Sequence, residues 1–84
     1  MPIYVVSYDL NRPGQNYPEL WAALRELNAQ RILQSQWAVS ARGDAQALRD
    51  WLWRYMDGTD RLLVMDRDSA DWAAYNLMAR LDQM

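Results

Sequence analysis

The sequence predicts an α+β sandwich of the ferredoxin-like kind, βαββαβ, with two helices on one face of a four-stranded antiparallel sheet. Three observations predict it. The run Ile3-Tyr4-Val5-Val6-Ser7-Tyr8-Asp9 is β-branched and aromatic and is bounded by polar residues, as a central strand is. Two later stretches carry apolar residues at helical spacing, each preceded by a capping signal. Extended, alternating runs lie between and after them, so the order is strand, helix, strand, strand, helix, strand. Eighty-four residues make one domain, 1–84, with a core small enough for dimerisation to add stability.

The first strand ends on Asp9 and enters Leu10-Asn11-Arg12-Pro13-Gly14-Gln15-Asn16, whose turn residues stop it. A carboxylate at the exit of a buried strand is held rigidly, so Asp9 is either a working group or a solvated strand end that caps loop amides. In Asn16-Tyr17-Pro18-Glu19, Asn16 can cap a helix and Pro18 fits the first turn, where its missing N–H costs nothing. Tyr17, Leu20, Trp21, Leu24 and Leu27 then form one apolar stripe, which Asn28 terminates. From Gln30 to Ala41 the pattern is extended, but Gln34-Ser35-Gln36 breaks the alternation. A tight bend there, giving two short strands, is preferred over one continuous bent strand.

Asp44 caps the second helix after the turn Arg42-Gly43, and Leu48, Trp51, Leu52, Tyr55 and Met56 form its stripe. Trp53 lies about 140° from Leu48 at 100° per residue, outside that arc. It either packs on a loop or serves an interface. Asp57-Gly58-Thr59-Asp60 is a turn, and Arg61-Leu62-Leu63-Val64-Met65-Asp66 is the last strand. Beyond Ser69 the chain reads either as a short helix lined by Ala73, Ala74, Leu77, Met78 and Leu81, or as an extended segment from Trp72 to Tyr75. The extended form would pair with a partner chain's sheet edge.

Composition excludes several chemistries. There is no cysteine and no histidine, which removes disulfides, thiolate metal sites, Cys nucleophiles, imidazole acid–base work and Ser-His-Asp catalysis within one chain. The net charge of −2 and the pI of about 4.8 exclude a basic protein that coats nucleic acid. All nine cations are arginine, which binds phosphate and carboxylate through a directed fork. No apolar run approaches the ~20 residues of a membrane span. The N-terminus has no signal-peptide pattern, so a cytoplasmic location without membrane contact is expected.

Right-handed crossovers place the first and third strands at the centre of the sheet and the second and fourth at its edges. The exit of the first strand, the bend at Ser35 and the entry to the fourth strand then share one rim, with Asp9, Ser35, Asp57 and Asp60 along it. Asp66 and Asp68 fall at the opposite end. The face of the sheet away from the helices carries either Ile3, Val5 and Ser7 or Tyr4, Val6 and Tyr8. Either set is too apolar for water, so this face is expected to meet a second protomer about a two-fold axis.

Several short motifs resemble one family. Tyr8-Asp9-Leu10 at the close of the first strand, Arg31, and the bend Gln34-Ser35-Gln36-Trp37 resemble the second core CRISPR-associated protein family, small dimeric partners in spacer acquisition. Its SinR-like branch is similar in Tyr-Asp-Leu-Asn at 8–11, Asn-Tyr-Pro-Glu-Leu at 16–20, Asp-Arg-Leu-Leu-Val at 60–64 and Trp-Ala-Ala-Tyr at 72–75. Gln36, Trp37 and Ala38 stand where that family carries a small apolar residue, Phe and an acid. The resemblance implies a ferredoxin-like homodimer in which the two copies of Asp9 face each other and bind Mg or Mn for endonuclease activity on RNA or DNA. Arg31 and Ser35 would then contact the nucleic acid. Two other readings stand beside it. One is a non-catalytic module that offers Trp53, Trp72 and Tyr75 to a protein partner; the other, by fold analogy alone, is a toxin-like ribonuclease.

Overall fold

The chain folds in the order β1 (Ile3–Asp9), α1 (Pro18–Glu26), β2 (Gln30–Leu33), β3 (Gln36–Ser40), α2 (Ala45–Trp53) and β4 (Arg61–Asp66). A single 3-10 turn, Arg67–Ser69, follows. This is a computed structural model, and it describes residues 2–11, 17–69, 73–76 and 78. The strand order is β2-β3-β1-β4, the interleaving expected of a ferredoxin-like sandwich. β1 is central because both of its edges are paired. It runs antiparallel to β3 from Ile3↔Ser40 to Ser7↔Gln36, and to β4 from Tyr4↔Asp66 to Asp9↔Arg61.

Alternation along β1 divides the core. Tyr4, Val6 and Tyr8 join Trp37 and Val39 of β3 against Leu20 and Leu24 of α1 and Leu48 and Leu52 of α2. Each helix buries the expected stripe, and full burial of a Leu side chain contributes about 1.5–3 kcal/mol. Trp53 stands off that stripe and is 40% exposed.

Local chemistry sets the boundaries. α1 ends where Asn28 takes φ +58, with its N–H on the Arg25 carbonyl at 2.9 Å and the Ala29 N–H on Leu24 at 3.0 Å. Asn tolerates that left-handed conformation better than most residues, so the terminator read from sequence acts as one. α2 begins under Asp44, whose carboxylate accepts the Ala47 N–H at 2.8 Å. α1 has Tyr17, not Asn16, at its N-cap, without a side-chain cap bond; Asn16 lies outside the described residues. The bend at Gln34-Ser35 splits the extended stretch into β2 and β3, and the pairing register shifts between Arg31 and Leu33.

Two expectations need correction. The face away from the helices is not bare. Ile3 and Val5 form a second cluster there with Ile32 and Ala38, each less than a tenth exposed within one chain. Met78 lies against β2, where its N–H donates to the Ile32 carbonyl at 2.8 Å. What stays open is the β4 side, where Leu63 is 57% and Met65 42% exposed. The expected helix from Ala73 is not formed over 73–76, where Asn76 takes φ +59. Those residues form no strand either, and Trp72 and the residues after Met78 lie outside the described part.

Candidate functional site

The ladder geometry brings three distant segments to one rim. The Tyr8 N–H donates to the Ser35 carbonyl at 3.2 Å, which ties the end of β1 to the β2–β3 bend. Asp9 pairs with Arg61 at the start of β4. An open cleft of about 540 Å³ forms there, lined by Tyr8, Asp9, Asn11, Trp21, Arg31, Ser35 and Arg61 among others. Asp9, Arg31 and Ser35, each singled out from sequence, therefore share one cleft. Among the described residues its two arginines against one aspartate give a local charge of about +1 in an otherwise acidic chain, and such a cleft favours anions.

Arg31 is held before any ligand arrives. Its guanidinium carbon lies 4.9 Å from the Trp21 ring and 5.7 Å from the Trp37 ring, within cation–π range. Its Nε donates to the Gln34 carbonyl at 3.0 Å, and Nη2 donates to the same oxygen. Both indoles also turn their N–H groups onto one atom. Trp21 Nε1 donates to the Tyr8 hydroxyl at 3.1 Å and Trp37 Nε1 donates to it at 3.0 Å. In the sequence Tyr8 stands on one face of the first strand and in the Tyr8-Asp9-Leu10 motif, and Trp21 on an apolar stripe, with no hydrogen-bonding role for either. The available signal was compositional: five Tyr and five Trp with no Phe favour ring residues that carry a polar tip.

Asp9 makes only a loose ion pair. Its Oδ2 lies 3.8 Å from Arg61 Nη1, with the two side chains 74% and 84% exposed. A pair this solvated contributes about 0–1 kcal/mol. Among the described residues no loop amide donates to Asp9. The Asn11 N–H goes instead to Asp60 Oδ1 at 2.7 Å. Asp60 is the buried acid of this rim, and its oxygens also accept the Tyr17 hydroxyl at 3.1 Å and the Asp57 N–H at 2.7 Å. Asp57 accepts the Thr59 N–H and hydroxyl at 3.0 and 2.9 Å, a local turn. Asp57 and Asp60 thus share the rim as expected but shape its loops.

These commitments bear on the metal expected at Asp9. Hard cations such as Mg or Mn take six or so oxygen ligands, usually with more than one carboxylate. Among the described residues no group of three or more acidic side chains is placed to hold a metal ion. A single exposed carboxylate opposite Arg61 does not make such a site alone, so Asp9 of a second chain would have to complete it.

Of the residues expected at an interface, Trp53 on α2 and Tyr75 beyond β4 are both exposed, and Trp72 lies outside the described residues. Among the described residues no helix is long and apolar enough to cross a membrane. Fold and site together define a small βαββαβ domain with a mildly cationic cleft at one end of its sheet. The chain matches no family model and no solved structure.

Proposed function

We propose that this protein is a CRISPR-adaptation-like homodimer that holds an RNA or DNA phosphodiester in the cleft at Asp9, Arg31 and Ser35 and hydrolyses it with Mg or Mn. One observation carries the reading: an acid at the end of β1 lines the same cleft as a pre-stacked arginine and a serine from the β2–β3 hairpin. Arg31 offers its Nη1 donors to a phosphate oxygen, and the exposed Ser35 hydroxyl offers a neutral donor beside it. Asp9 from each of two copies would hold the divalent cation, which when bound would supply water activation and offset phosphate charge. Water adds to phosphorus, the P–O ester bond breaks, and the departing oxygen takes up a proton.

The second copy is assigned to the open side of β4. Leu63 and Met65 expose apolar surface on an edge strand, which is where a sheet recruits another chain. The test is cleavage of single-stranded RNA and of duplex DNA in Mg²⁺ and in Mn²⁺ by wild type and Asp9→Asn. Loss of cleavage in the variant at unchanged thermal stability supports hydrolysis. Equal activity in both, or none in wild type with either metal, removes it.

A non-catalytic interaction module is the second reading, favoured by the exposure of Trp53, since Trp is enriched at binding hot spots. Under it, Trp53→Ala weakens capture of a protein partner while the oligomeric state persists. Unchanged capture removes Trp53 from that account.

A further inference from the structure

We infer that Tyr8 is the neutral hydrogen-bond donor for a phosphoryl oxygen bound in the cleft, and that Trp21 and Trp37 act as positioning residues that aim it. A phenol oxygen has two lone pairs and one proton. Both lone pairs are engaged, by the Trp21 indole N–H at 3.1 Å and the Trp37 indole N–H at 3.0 Å. The hydroxyl proton has no acceptor among the described residues, so it remains for a group that enters from outside. The ring cannot swing away to find another partner, because Tyr8 is buried in the main core while it lines the cleft. The two indoles come from separate elements, α1 and β3, so the hydroxyl is gripped by two independently packed side chains.

The same two indoles carry Arg31. Its guanidinium lies against both rings, and the Nε–H and one Nη2–H go to the Gln34 carbonyl, which leaves three N–H donors, two of them on Nη1. A cation and a neutral donor are therefore mounted on one pair of rings at the cleft wall. Among the described residues the acid lining the cleft is Asp9, which pairs loosely with Arg61. What completes this arrangement is an acceptor with negative charge and more than one oxygen. A phosphoryl group fits because its oxygens accept from directions spread around a tetrahedron, which suits donors on different elements, whereas a carboxylate accepts close to one plane. This rests on the reading of the cleft as a phosphate site, but it requires neither hydrolysis nor a metal.

The test is titration of the metal-free protein with inorganic phosphate and with the dinucleotide dTpdT, read by calorimetry and by tryptophan fluorescence. The two probes separate a terminal phosphoryl group from an internal diester. Binding of either is expected, and Tyr8→Phe is expected to weaken it roughly 10–100-fold, the range for a lost hydrogen bond to a charged group. Trp21→Phe keeps the Tyr8 hydroxyl and a ring under Arg31 but releases one lone pair. It is expected to weaken binding by a few-fold and to change the fluorescence response, with the melting temperature little altered.

If wild type binds a probe and Tyr8→Phe binds it equally well, the inference is overturned while the cleft remains a phosphate site. If Tyr8→Phe does not fold, Trp21→Phe decides, and unchanged affinity there overturns the inference. Acetate competing as strongly as phosphate overturns the phosphoryl assignment. If wild type binds neither probe, this inference and the proposed function fall together.

Discussion

Asp60 and Tyr17 are separated by 43 positions in sequence and meet at 3.1 Å, the Tyr17 hydroxyl donating to Asp60 Oδ1 at the start of α1. The same carboxylate takes the N–H groups of Asn11 and Asp57, so one buried side chain ties the exit of β1, the start of α1 and the turn before β4. Asp60→Ala leaves three donors without their acceptor, which is expected to cost ~2–4 kcal/mol. For a domain of this size the melting temperature should fall by roughly 10–25 °C. Urea denaturation measures the loss, and a change within ~0.5 kcal/mol would mean these bonds are replaced by water without penalty.

Tyr4 yields a pH prediction. Burial pushes its phenol above the ordinary value of about 10, and the charges of Asp66 and Asp44 push the same way. Its hydroxyl also donates to the Gly43 carbonyl at 2.7 Å. A raised folded-state value means that the unfolded chain releases this proton first. The contribution is complete below about pH 10 and is lost as pH climbs from there through the folded value. Denaturation midpoints taken from pH 8 to 11.5 should fall steeply at the alkaline end in wild type and less steeply in Tyr4→Phe. Parallel curves would refute the assignment.

Asp9→Asn should separate function from stability. The carboxylate is 74% exposed and its pairing with Arg61 is loose, so the variant is expected to stay within ~0.5–1 kcal/mol of wild type. Any metal-dependent cleavage is expected to fall at least about 100-fold, a size typical for loss of a group that acts on the transition state. A large loss of stability would instead make Asp9 a structural residue.

Leu63→Arg tests the second copy. Leu63 is 57% exposed within one chain, so a charge there leaves the fold intact while it burdens an apolar contact with a desolvated cation. Sedimentation should show a dimer for wild type and a monomer for the variant, with matching circular dichroism. A monomeric wild type would remove both the dimer and any site shared between two copies of Asp9.

Much of the fold is legible along the chain because its signals are local. The stripes of α1 and α2, the Asp44 cap, the Asn28 terminator and the break at Gln34-Ser35 each follow from residues within one or two turns of each other. The rim was also legible, since a βαββαβ order with right-handed crossovers leaves few ways to arrange four strands. The covered second face was not. Whether Ile3 and Val5 meet solvent depends on segments far off in sequence, and alternation in β1 is equally apolar on both faces.

The order of elements, the positions of Asp9, Ser35, Asp57 and Asp60 on one rim and the exclusion of thiol and imidazole chemistry were determined by the sequence alone. They follow from periodicity, turn residues and composition. Tertiary structure alone decided that the Tyr8 oxygen takes both indole N–H groups, that Arg31 lies on the same rings and that Asp60 is a buried clamp. The reason is physical: a hydrogen bond is set by the direction and distance of two atoms to within a few tenths of an ångström. Residues such as Tyr8, Trp21 and Trp37 come that close only after two helices and four strands have packed.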